Sequence, residues 1–222
     1  MNRRMIFPIV FGVVGTALFL SLGFWQLQRM NWKAGILADI DERLAAAPIE
    51  LPATPDPVVD KYLQVEATGE IVDRELHVLT FGENTPGFRV IAPMVLDDGR
   101  RILVDRGFIG ETEKNAARLG GAVTAIGSLV WPQETDKYVP DPNLDENIWF
   151  ARNVPLMAKA LDTEEVMLDI GSSNLDEGIT PQRVSINISN RHLEYVMTWF
   201  SFAVIWVGMT GYALWRIKRK AA

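Results

Sequence analysis

Asn190-Arg191-His192-Leu193-Glu194-Tyr195-Val196-Met197-Thr198-Trp199-Phe200 opens the stretch that organises this chain. From Tyr195 to Trp215 the sequence runs for 21 residues without a charge. A bilayer core needs roughly 20 apolar residues of helix, so the run reads as a membrane span. His192, one of only 2 histidines in the protein, stands where that helix passes from water into headgroups. Tyr195, Trp199 and Trp206 follow it at i+3, i+7 and i+14, an aromatic stripe beneath an imidazole. Asn190 reads as the N-cap, which puts His192 in the first turn beside the positive end of the helix dipole. A neutral imidazole is the form that binds iron, and an ionisable group at the membrane is a functional candidate. The blander reading is a headgroup-level polar residue beside an ordinary aromatic belt, and spacing alone favours it.

A second uncharged run, Met5 to Gln28, covers 24 residues. Leu22-Gly23-Phe24-Trp25 offers no small-x-small cleavage site, so this run is expected to be an uncleaved signal anchor. Its glycines Gly12, Gly15 and Gly23, with Ser201, Ala203, Gly208 and Gly211 in the other span, suit close helix pairing. Past the first span, Trp25, Arg29 and Trp32-Lys33 fall on one helical face. An interfacial belt with basic anchors explains that face as it stands. Ile36, Leu37, Ile40 and Leu44 then make an apolar stripe opposite Asp39, Asp41, Glu42 and Arg43, so the helix is expected to continue to about residue 46.

Charge sets the topology. Arg3, Arg4, Arg216, Lys218, Arg219 and Lys220 flank the two spans with no acidic residue among them, while all 28 Asp and Glu lie between Asp39 and Glu194. Basic flanks stay inside, so both termini are expected in the cytoplasm and the central domain outside. The acidic domain argues against nucleic acid as a partner. The protein has 0 cysteines, which excludes disulfide staples and thiolate metal sites, so the domain must rest on a packed core.

Between the spans the pattern is mostly β. Strands are expected at Tyr62 to Ala67, Glu75 to Leu79, Phe88 to Leu96, Arg101 to Asp105, Val123 to Trp131, Val166 to Ile170 and Gln182 to Ile188. Asp97-Asp98-Gly99 is a hairpin turn, Pro93 implies an edge or a bulge, and Glu111 to Leu119 is a short helix or a loop. Asn153 caps a helix through Leu161 with Pro155 in its first turn. The fold expected is therefore an α+β membrane protein: two transmembrane helices flanking a mainly antiparallel β extracytoplasmic domain, a small barrel or sandwich. Its parts are a transmembrane helix over 5–28, a β-rich domain over 48–190, a second transmembrane helix over 191–215 and a basic tail over 216–222. No phosphate loop, nucleophile elbow or zinc-protease motif occurs, so no catalytic residue is assigned. His77, mid-strand, reads as a half-buried or surface polar position.

Five segments together resemble the Surfeit locus protein family, whose members are cytochrome c oxidase assembly factors. Gly23-Phe24-Trp25-Gln26-Leu27-Gln28-Arg29-Met30-Asn31-Trp32-Lys33 resembles the family's first signature and Asn190 to Phe200 its second. Gly87 to Met94, Val104 to Ile109 and Asn147-Ile148-Trp149-Phe150 are similar to its loop motifs, in the same order. Phe108 and Phe150 stand where tryptophan is usual, and Asn153 where aspartate is usual. The resemblance implies a protein that binds haem a and promotes its insertion into the catalytic subunit of cytochrome c oxidase, with His192 as the haem-contacting residue and iron ligand. To this the residues themselves add Tyr195 and Trp199 flanking the porphyrin, Trp25 on the facing helix, and Arg29 with Arg191 pairing the propionates. The alternative is a non-haem structural adaptor that stabilises an oxidase assembly intermediate or joins the mature complex. Partners expected are the oxidase catalytic subunit, the haem a synthesis enzyme and membrane lipid. No Arg- and Ser-rich presequence precedes Arg3, so a bacterial inner membrane with a periplasmic domain is the expected setting.

Overall fold

The computed structural model describes residues 3–82, 85–118, 120–175, 178–182, 184 and 191–221. It divides into two compact units, one of helices from the two ends of the chain and one spanning Ile40–Ile186. The expected strand over Gln182 to Ile188 and the Asn190 cap fall mostly or wholly outside the described residues.

The helical unit consists of most of α1 (Arg3–Ala45) and all of α3 (His192–Ala221). Both are long and apolar enough to cross a membrane. Phe7, Phe11, Val13, Val14 and Leu18 of α1, and Val204, Ile205, Val207 and Met209 of α3, are exposed. A contiguous apolar surface of that kind is a cost in water and a fit in lipid. The two helices run antiparallel along a seam. A Cβ on Gly12 would overlap the Thr210 side chain, one on Gly15 the Trp206 indole, and one on Gly23 would come within 3.0 Å of the Phe200 ring. Phe19 stacks on Trp199 with ring centroids 6.1 Å apart, and Ala203 is buried. Gly12, Gly15, Phe19, Gly23 and Gln26, spaced by threes and fours on α1, meet Thr210, Trp206, Trp199, Phe200 and His192 of α3, so one stripe of α1 lies along α3. The glycines thus pair as expected on α1. On α3 the expectation fails in part: Gly208 and Gly211 face open space, and Ser201 is exposed. Large rings on α3 fill the hollows that the α1 glycines leave.

The second unit is a closed barrel. Its strands are β1 (Ile49–Glu50), β2 (Gln64–Ile71), β3 (Leu76–Phe81), β4 (Pro86–Leu96), β5 (Arg101–Gly110), β6 (Gly121–Val130), β7 (Ile148–Trp149) and β8 (Met167–Ser173). The order β2-β6-β8-β5-β4 returns to β2 through Gly69↔Leu96, Glu70↔Val95 and Ile71↔Met94, so five strands form a ring. Val65, Ala92, Met94, Ile102, Val104, Ala125, Leu129 and Leu168 fill it. Alternation along β2, polar out and apolar in, follows from that closure. Pro93 falls between Ile91, where pairing with β3 stops, and Met94, where pairing with β2 begins. A bulge at Val90/Ile91 turns the strand there. The missing N–H of Pro93 therefore interrupts no ladder. Glu111–Glu113 is a single 3-10 turn. Helix α2 (Val154–Leu161) is capped as its sequence suggests, Asn153 accepting from the Leu156 N–H at 3.1 Å. It lays Val154, Met157, Ala158 and Leu161 on the outer face of β5 and β8, over Leu103 and Met167.

Candidate functional site

His192 is the first residue of α3, and its Nδ1 lies 2.7 Å from Oε1 of Gln26 on α1. The amide oxygen only accepts, so Nδ1 carries the proton and donates. Nε2 is buried and has no hydrogen-bond partner among the described residues. The opposite tautomer would bury an orphan N–H at that atom, which is the rarer and costlier defect. The imidazole thus presents a bare lone pair at Nε2, the donor that a haem iron or other transition metal takes. Among the described residues no group of three or more His, Asp or Glu could hold a metal ion, and His192 offers a single nitrogen donor. An interhelical hydrogen bond in a membrane seam contributes about 0.6 kcal/mol. That is less than one well-packed leucine, so the larger consequence of Gln26 is orientation.

The other residues singled out from sequence divide into two sets. Trp199 lies two turns along the His192 face, packs on Phe19 and Phe202, and buries an indole N–H that no acceptor among the described residues reaches. Trp206 continues the same face, its N–H directed at the Phe11 carbonyl at 3.4 Å. Tyr195 and Trp25 point away from the seam, both more than half exposed. Arg29 is exposed and lays its guanidinium 4.0 Å over the Trp32 ring. At the opposite end of the pair Arg219 sits 5.0 Å over Trp215, and Tyr212 packs beside it. Arg29 and Trp32 have the arrangement of an aromatic belt. Gln26 was passed over in the sequence, although an amide in the last turn of a 24-residue uncharged run was the visible signal.

The barrel holds a second polar centre that the sequence reading missed. Asp105 of β5 and Asp169 of β8 are register partners, both almost fully buried. Two carboxylates side by side would repel. Arg89 of β4 bridges them, with Nε 2.5 Å from Asp105 and Nη2 3.0 Å from both Asp169 oxygens, while Nη1 reaches Gln182 at 3.1 Å. Arg152 adds Nη1 at 3.4 Å from Asp105 and 3.6 Å from Asp169, and its Nη2 bonds Glu134 at 2.5 Å. Burial, then the neighbouring Asp105 charge, push the Asp169 carboxyl up to about 7 against the two guanidiniums. A third cluster lies at the edge of β3. Glu75 accepts from His77 and Arg118, and these bonds outweigh burial and hold its carboxyl at about 2. His77 is buried in this cluster rather than half-buried or at the surface. Among the described residues these charges pair chiefly with one another, an arrangement that suits a scaffold.

The SURF1 family profile matches residues 13–204, from the first span through the barrel to the middle of α3. The chain belongs to the SURF1 family. Gln26 and His192 both lie inside the matched region. Human "Surfeit locus protein 1" is 27% identical over 208 residues, covering 82% of this chain and 69% of the human protein. The rat protein of that name is 26% identical over 204 residues, with 81% and 67% covered. A "SURF1-like protein" of the bacterium Rickettsia bellii is 28% identical over 199 residues, with 84% and 82% covered. Members of the SURF1 family are known as cytochrome c oxidase assembly factors, which points to a non-catalytic role.

Proposed function

We propose that this protein binds haem a as cargo and promotes its insertion into the catalytic subunit of cytochrome c oxidase. The observation that carries the reading is the bare, buried Nε2 of His192 at the head of α3. A lone imidazole donor suits transient holding, because a single axial ligand leaves the iron exchangeable. Trp199 supplies an apolar ring on the same face for a macrocycle, and the lipid-facing surface of the helix pair suits its isoprenoid tail. Tyr195, Trp25 and Arg29 border this end of the pair, where Arg29 would meet propionates once it leaves Trp32. Haem a supplies its redox and oxygen chemistry to the oxidase; in this protein the residues only hold and release it. Two apolar helices and a bacterial relative support an inner-membrane setting, and the basic flanks favour the barrel in the periplasm. The oxidase catalytic subunit is the receiving partner, and the haem a synthesis enzyme is the partner that supplies the cargo.

The test is His192→Ala in protein purified from cells making haem a. Haem content and the Soret absorbance are expected to fall to background. Unchanged spectra would remove His192 from the site. Deleting the protein distinguishes the adaptor reading, which predicts fewer oxidase molecules, each with full haem, whereas delivery predicts oxidase that assembles short of haem.

A further inference from the structure

The geometry points to Gln26 as the positioning residue of the His192 site: its side-chain oxygen fixes the Nδ1–H tautomer and so selects Nε2 as the ligating atom. The inference rests on the reading of His192 as the haem contact, but its structural half stands without any haem.

The argument begins with what an imidazole does unassisted. Either ring nitrogen of a neutral histidine can carry the proton, and the ring can rotate about two side-chain bonds. A ligand that must present one lone pair in one direction needs both freedoms removed. In haem and metal proteins this is done by a hydrogen bond from the non-ligating N–H to a carboxylate, carbonyl or water. Here the Nδ1 to Oε1 distance of 2.7 Å is that bond, made across 166 residues of sequence. Gln26 is itself held by its place in the seam, one turn from Gly23, which lies against Phe200. Gln26 offers a neutral amide oxygen rather than a carboxylate. It is also a weaker acceptor than a carboxylate, so it orients the imidazole while raising its donor strength less than a carboxylate would. For a carrier that must give up its cargo, that balance favours release over retention.

The experiment has two arms. In the first, the full-length apo-protein in micelles, 15N-labelled at histidine, is examined by long-range proton–nitrogen NMR. His192 is expected as the Nδ1–H tautomer, and Gln26→Ala is expected to shift it toward Nε2–H or a mixture. A wild-type His192 protonated at Nε2, or a tautomer indifferent to Gln26→Ala, overturns the proposal whether or not haem binds. In the second arm, protein from cells making haem a is compared as wild type, Gln26→Ala, Gln26→Glu and His192→Ala. Gln26→Ala is expected to weaken haem retention about 10- to 100-fold. Gln26→Glu is expected to keep retention and to raise the ferrous iron–histidine stretching frequency, since a carboxylate makes the imidazole a stronger donor. An unmoved frequency in a Gln26→Glu protein that retains haem overturns the positioning role. Helix content by circular dichroism separates loss of the site from loss of the helix pair, and the Gln26→Glu arm keeps the test open if Gln26→Ala does not fold. If His192→Ala retains haem, the functional reading fails, and the NMR arm still decides the tautomer.

Discussion

At the scale of single residues, two buried polar features divide the labour. His192 keeps one nitrogen bare, whereas Arg89 leaves almost nothing bare around it. The Arg89 side chain, 12% exposed, neutralises two carboxylates that are 0% and 2% exposed. Removing one partner of such a set is far costlier than never having built it, because the remaining charges stay buried. Arg89→Met is therefore expected to destabilise the protein by about 3–5 kcal/mol at pH 8. The loss should shrink toward pH 5. Asp169 titrates at about 7 in the folded chain, above its ordinary value of 3.8, so its ionisation works against folding above that range. Its proton is regained as pH falls, and the penalty of an unpaired carboxylate falls with it. Glu75 acts in the opposite sense: held at about 2 against an ordinary 4.5, it stabilises the fold above pH 4.5 and gives that up only on approach to pH 2. Denaturant titrations of full-length protein in micelles at pH 8 and pH 5 measure the Arg89 effect, and a series from pH 4.5 down to pH 2 measures that of Glu75. An equal loss at the two pH values would disprove the account of Arg89.

Elements were legible where one residue carries a local signal. Asn153 with Pro155 announced α2, and Asp97-Asp98-Gly99 announced the β4–β5 hairpin, where Gly99 adopts φ +86°. Pro93 announced a break in pairing, which proved to be the point where β4 changes partners. What stayed hidden depends on residues far apart in sequence. Asp105 and Asp169 each look like an ordinary polar position in a strand, and only the register of β5 on β8 makes them a pair. Gln26 likewise means nothing until α3 is laid against it. The seam itself gives an element-scale prediction. Gly15→Leu drives a side chain into the Trp206 indole and is expected to part the helices and lower haem retention, while Gly208→Leu, on an open face, leaves both unchanged. Spin labels on the exposed positions Val14 and Val207 would report the separation as a longer and broader distance distribution.

At the scale of the whole molecule, charge and hydropathy made the anchors plain, and alternation marked a β domain, but the choice between barrel and sandwich turns on ring closure, which could not be read from any one strand. The absence of cysteine makes topology directly measurable. A cysteine placed at Lys137 is expected to react with an impermeant maleimide on intact spheroplasts, and one placed at Ala222 only after permeabilisation. The reverse pattern would invert the orientation inferred from the basic flanks.

Closure of the barrel on so short a join has a consequence for assembly state. Among the described residues the β2–β4 ladder pairs Gly69, Glu70 and Ile71, flanked by bonds from the Asp97 N–H to the Thr68 carbonyl and from the Val72 N–H to the Pro93 carbonyl, and a side chain at Gly69 would strike the Val95 carbonyl. Were that latch sprung, two bare rims would open on one protomer, each complementary to the other rim of a second copy. The product expected is then a strand-exchanged dimer, and Gly69 works against it by letting the two rims of one barrel close on each other.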